Sequence, residues 1–146
     1  MISKQDTDPF RLAVKQHFAF LADDFGFEEQ TTPKNKNPFS VWYANDTSRI
    51  VVESISYGLN ARVALGRSGP IDTFENYDLL DCVAVCSQAA DVDPEAFPTG
   101  AFDQLSLMAG IVLDHVAHIL RGDFDCFPEV GEIIKKRRLD WESSQK

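Results

Sequence analysis

Between Pro9 and Gly26 the apolar residues Phe10, Val14, Phe18, Leu21 and Phe25 recur at intervals of four, four, three and four. That spacing lays them in one stripe along a helix, able to press on a sheet. Asp8 before Pro9 predicts the helix start: the carboxylate caps free N–H groups, and proline at the first helical position has no donor to lose. Gly26 predicts its end. From Phe27 to Gly66 the period changes to β-branched and aromatic runs separated by turn residues, which predict strands over 27–32, 39–45, 49–57 and 60–66. The connections at 33–38 and 45–48 are too short for a parallel crossover, so the four strands form an antiparallel meander. Alternation puts Phe39, Val41 and Tyr43 on one face of the second strand and Trp42 with Ala44 on the other. If helices cover one face only, Trp42 or Tyr43 is left as an exposed aromatic on the other.

After Ser68-Gly69-Pro70 the helical period returns. Leu79, Leu80, Val83 and Cys86 predict a helix up to about Ala90, where Asp91-Val92-Asp93-Pro94 ends it. Phe102, Leu105, Met108, Val112, Val116 and Ile119 predict a second, from about Gly100 to Arg121, closed by Gly122. Phe124, Phe127, Val130 and Ile134 predict a third, less regular one reaching towards Trp141. The basic run Lys135–Arg138 sits near its C-terminal end, where the helix dipole favours cations. No repeat or linker divides the chain. The pattern is a single α+β domain over 1–146: an N-terminal helix, a four-stranded antiparallel meander, then three helices packed mainly on one face of the sheet. Residues 1–7 and 142–146 are expected to fray.

With 44% hydrophobic and 25% charged residues, the 146-residue chain falls in the ordinary globular range. A chain of this size buries roughly 70% of its unfolded surface and needs no metal or disulfide for stability. Charge changes the picture more, because the net −9 is segmental. Residues 1–70 are balanced, whereas 71–134 hold thirteen carboxylates against Arg121 alone, and 135–146 are net +3. Such a surface repels a phosphate backbone, which argues against nucleic acid. A run of acids is commonly a solvated face that keeps a protein soluble. Its sharper reading is a docking surface for a basic protein, built from Asp72, Glu75, Asp78, Asp81, Asp91, Asp93 and Glu95, with Trp42 and Tyr43 as aromatic anchors. The Lys135–Arg138 run could pair with these acids in the same molecule or in a neighbouring copy, which leaves a homodimer open.

The N-terminus has no apolar leader core, and no stretch approaches 18 apolar residues, so a cytoplasmic protein outside the membrane is expected. Cys82, Cys86 and Cys126 are odd in number and fit a reducing compartment. Asn45-Asp46-Thr47 reads as a turn rather than a glycosylation site. Cys82 and Cys86 on one helix, with His115 and His118 on the next, could supply two sulfur and two nitrogen ligands to zinc. The cysteines, however, occupy apolar stripe positions, where free cysteine behaves as a small hydrophobe. Asp114, His115, His118, Asp123 and Asp125 could furnish a base and its orienting carboxylate, but Cys126 has no oxyanion loop before it. Gly66-Arg67-Ser68-Gly69 lacks the Lys-Ser/Thr pair of a phosphate loop, and Asp78 and Asp81 lack the ligand order of a calcium loop. No catalytic residue, metal or cofactor is expected.

Four segments, Asp24-Phe25-Gly26-Phe27, Tyr43-Ala44-Asn45-Asp46, Tyr77-Asp78-Leu79-Leu80 and Leu120-Arg121-Gly122-Asp123, resemble a group of small, mostly uncharacterised bacterial α+β proteins. Those are similar to the immunity proteins of bacterial toxin systems in size, acidity and lack of an active site. The resemblance carries no functional residue. It implies a non-enzymatic, cytoplasmic protein-binding domain, an immunity protein that neutralises a basic toxin by occlusion. The alternative is a secretion chaperone or adaptor that binds an effector segment, a class with the order α-βββ-α-ββ-α. No strand is expected here after residue 70.

Overall fold

A computed structural model describes residues 4–33, 36–56, 58–69, 76–87 and 97–144, and the side chains of all of these except 4–7, 86 and 87. The chain runs α1 (Lys4–His17), α2 (Phe20–Phe25), β1 (Glu28–Gln30), β2 (Ser40–Ala44), β3 (Ser48–Ile55), β4 (Asn60–Arg67), β5 (Tyr77–Asp78), α3 (Leu79–Cys82) with a π-helical turn at Val83–Ser87, α4 (Ala101–His115), α5 (Ala117–Leu120) and α6 (Phe127–Ser144). The α+β class and the antiparallel meander match the sequence reading. The details differ in four places.

The first helix starts earlier, so Asp8 is not its cap and Pro9 lies inside α1. It also breaks. At Phe18–Ala19 the bonding tightens, with the Leu21 N–H on the Phe18 carbonyl at 3.0 Å, and the chain turns before α2. Phe18 and Leu21, on either side of the break, are both fully buried. Gly26, at φ 69°, closes α2, and the Phe27 N–H reaches the Leu21 carbonyl at 2.9 Å.

The sheet has five strands rather than four, in sequential order β1-β2-β3-β4-β5, all antiparallel. Tyr77 and Asp78, read from sequence as a helix start, pair with Leu65 and Ala64 before Asp78 caps α3 through the Leu80 N–H at 2.9 Å. Two residues are too few for alternation to reveal a strand. Strand β5 corrects the expectation of no strand after residue 70; every described strand precedes α3, and no strand-helix-strand order is seen among the described residues.

The third difference is in α4, which ends at His115; Val116, at φ −130°, separates it from α5. The fourth is α6, which continues through Ser144, beyond the residue where fraying was expected.

One sheet face carries Val41, Val52 and Val63 in one register line and Tyr43, Ile50 and Leu65 in the next. These join Phe10, Val14, Phe18, Leu105, Val112, Ile119 and Phe127 in a single buried core. On the other face Trp42, Val51 and Ala64 lie in register. They are buried too, so the expectation of an uncovered aromatic is corrected: Trp42 and Tyr43 are each 6% exposed. Arg49 and Arg62 flank that second strip. Arg49 donates to the Gly69 carbonyl at 2.6 Å and Arg62 to Asn76 Oδ1 at 3.1 Å, so the two arginines hold both ends of the connection from β4 to β5.

The meander is fastened to the helices by three side chains. Asn45 Oδ1 accepts from the Thr47 and Ser48 N–H groups, while its Nδ2 donates to the carbonyls of Phe25 and Leu120 at 2.9 and 3.1 Å. Buried Ser48 donates to the Ile119 carbonyl at 2.6 Å. Buried Gln104 accepts from the Ala61 N–H at 2.7 Å and donates to the Pro98 carbonyl at 2.7 Å and to Asn60 Oδ1 at 3.1 Å. Removing such a side chain would strand buried backbone groups, each at a cost of about 1–3 kcal/mol.

Candidate functional site

Of the acids proposed from sequence as a docking surface, Asp72, Glu75, Asp91, Asp93 and Glu95 lie outside the described residues. The other two are engaged internally. Asp78 caps α3 and pairs with Arg62 Nε at 3.4 Å, and burial pushes its carboxyl up from the usual range. Asp81 pairs with Arg137 at 2.5 Å, so the basic run does meet the acidic segment of the same molecule, through one of its four cations. Trp42 is buried on the second sheet face, with its Nε1–H on Ser40 Oγ at 3.0 Å. Burial raises the Tyr43 hydroxyl to about 12.

The zinc candidates are not assembled as drawn from sequence. Cys82 is a free, fully buried core residue, and burial pushes its thiol up to about 12, so it holds its proton at neutral pH. The side chain of Cys86 lies outside the described ones. His115 and His118 fall on either side of the Val116 break instead of on one helix face. Among the described residues no three His, Cys, Asp or Glu side chains gather into a metal-sized group. Cys126 is disulfide-bonded, a correction to the reading of three reduced cysteines. Among the described residues no helix is long and apolar enough to cross a membrane.

The outer face of α4 is exposed in a way its sequence stripe did not single out. Its inward positions Gln104, Leu105, Met108, Ile111 and Val112 are buried. Outward, Phe102, Leu107 and Leu113 remain 51, 39 and 42% exposed, with exposed Asp103 and Asp114 among them. Asp103 and Asp114 are eleven residues apart, three helical turns, and therefore share one side of the helix. At the N-terminal end of α4, Phe102 packs edge-on against Phe10 at 5.7 Å. There it enters a cleft of about 690 Å³ walled by Phe10, Phe39, Ile55 and Phe102. The amide of Asn37 at its rim is already used, donating to the Ser54 carbonyl and accepting from the Phe39 N–H. The cleft thus offers chiefly apolar contact.

Carboxylates continue beyond α4. Asp123, Asp125, Glu129 and Glu132 are exposed, and among the described residues neither they nor Asp103 and Asp114 enter an ion pair. Sequence reasoning placed the acidic site earlier in the chain. Phe102, read from sequence as the first residue of the inward stripe, is instead half exposed, a correction; Leu107 and Leu113 lie outside that stripe and were the signal for this face. Comparison of the chain with family models, curated proteins and solved structures finds no match.

Proposed function

We propose that this protein is a non-enzymatic binding domain that engages a basic protein through the outer face of α4. One observation carries the reading: three large apolar side chains stand exposed on that face beside two carboxylates with no described cation in reach. Apolar anchors supply contact area, and the carboxylates attract a basic surface and exclude acidic ones. The partner most in keeping with the acidity and with the resemblance to immunity proteins is a basic toxin, neutralised by covering its active surface.

The test is affinity capture from the native host at low salt, with Asp103→Lys/Asp114→Lys as the control bait. A basic protein retained by the wild type, released as salt rises and absent from the control supports the reading. If nothing basic is retained, or the control bait holds the same protein equally well, the reading fails.

A further inference from the structure

Helix α6 has two halves. Phe127 and Val130 are buried, and Ile134 packs partly on the core. Gly131 lies so close to β5 that an added Cβ would meet Tyr77 Oη at 3.1 Å. From Lys135 to Ser144 every residue is exposed, including Leu139 and Trp141 at 49 and 64%. The second half projects from the body. Isolated helices shorter than about 12–15 residues are marginal in water, so an arm of this length is held by the docked turns before it and by the Arg137–Asp81 ion pair.

We propose that this arm pairs with the same helix of a second copy of the chain, the two lying antiparallel about a two-fold axis. The charge order along α6 points to that occupant. Glu129 and Glu132 stand in the first half, and Lys135, Lys136 and Arg138 in the second. Arg137 alone is turned inward, to Asp81. A shallow groove of about 440 Å³ on the outer side of the helix is lined by Glu129, Glu132, Ile133, Lys135, Lys136 and Leu139. It therefore carries carboxylates towards one end and ammonium groups towards the other, with Ile133 between them and Leu139 beyond the ammonium groups. A two-fold axis near Ile133 reverses one helix against the other, so the carboxylates of each copy face the ammonium groups of its mate, with Ile133 at the centre of the seam. An anionic membrane would also attract Lys135–Arg138 and Trp141. Asp140 and Glu142 interrupt that face, however, and a chain of net −9 is repelled by such a surface.

Sedimentation velocity of the full chain at low salt, at about 100 μM, tests the pairing. The wild type is expected to dimerise. Glu132→Lys and Lys136→Glu should each weaken the dimer about tenfold or more, because every change acts twice across the axis. The double variant Glu132→Lys/Lys136→Glu should restore it. Far-UV circular dichroism of each variant separates lost pairing from lost folding. A monomeric wild type, a dimer indifferent to the single changes, or no recovery in the double variant overturns the proposal. So does a monomer that co-sediments with phosphatidylcholine/phosphatidylserine vesicles, which would assign the arm to lipid.

Discussion

The two long terminal helices make opposite use of similar amphipathic material. Along α1 the stripe of Phe10 and Val14, continued by Phe18, stays buried to the helix end, and its polar side is tied to the sheet by Arg11, which donates to Glu29 through Nε at 2.7 Å and Nη2 at 3.0 Å. Along α6 burial stops after Val130, with Ile134 only partly covered, and charged residues take over. Length does not decide how firmly a helix is held; what counts is how far its apolar spacing runs in step with the surface beneath it. Where the two part company, a helix becomes an arm.

The largest effect that can break this comparison is Phe18→Ala. It empties a fully buried ring site and should cost about 3–5 kcal/mol in urea denaturation. A loss under 1 kcal/mol would mean that the end of α1 is not anchored as described. Val130→Ala, in the docked half of α6, should cost about 1–3 kcal/mol. If it is silent, the whole of α6 is an arm rather than its second half alone.

Glu29→Gln should have a smaller, pH-dependent effect. Hydrogen bonding from Arg11 holds the Glu29 carboxyl below the usual range. A carboxylate depressed in the folded state contributes stability above its unfolded pKa and loses it as pH falls through the folded one. The acid limb of a stability-against-pH curve should therefore flatten in the variant, and an unchanged limb would remove the ion pair from the account of α1. Leu139→Ser should change the stability of dilute monomer by no more than about 0.5 kcal/mol, and a larger loss would show the arm packed on its own body.

Periodicity exposed what repeats. The stripe of α1, the four longer strands and the inner face of α4 follow from spacing in the sequence, because each repeats a period often enough to be seen. What it missed depends on single side chains or on tertiary strain. The break at Phe18–Ala19 leaves the stripe intact in sequence, so the spacing does not reveal it. Strand β5 is two residues long. Gln104 and Asn45 are ordinary polar letters until the fold brings Ala61, Pro98, Phe25 and Leu120 to them. Trp42 was placed on the correct face, but alternation alone does not say that this face is buried as well. The acidic surface was legible as a bias of composition, and its division between engaged and free carboxylates was not.

The Asn45 amide ties together parts of the chain that are far apart in sequence. Its bond to the Leu120 carbonyl joins groups 75 positions apart in the chain, a closure that must await both the meander and the helical half, since long loops are entropically costly to close before other contacts hold them. With Ser48 and Gln104, this amide at the β2–β3 turn makes the balanced front half and the acidic back half one cooperative body rather than two adjoining ones.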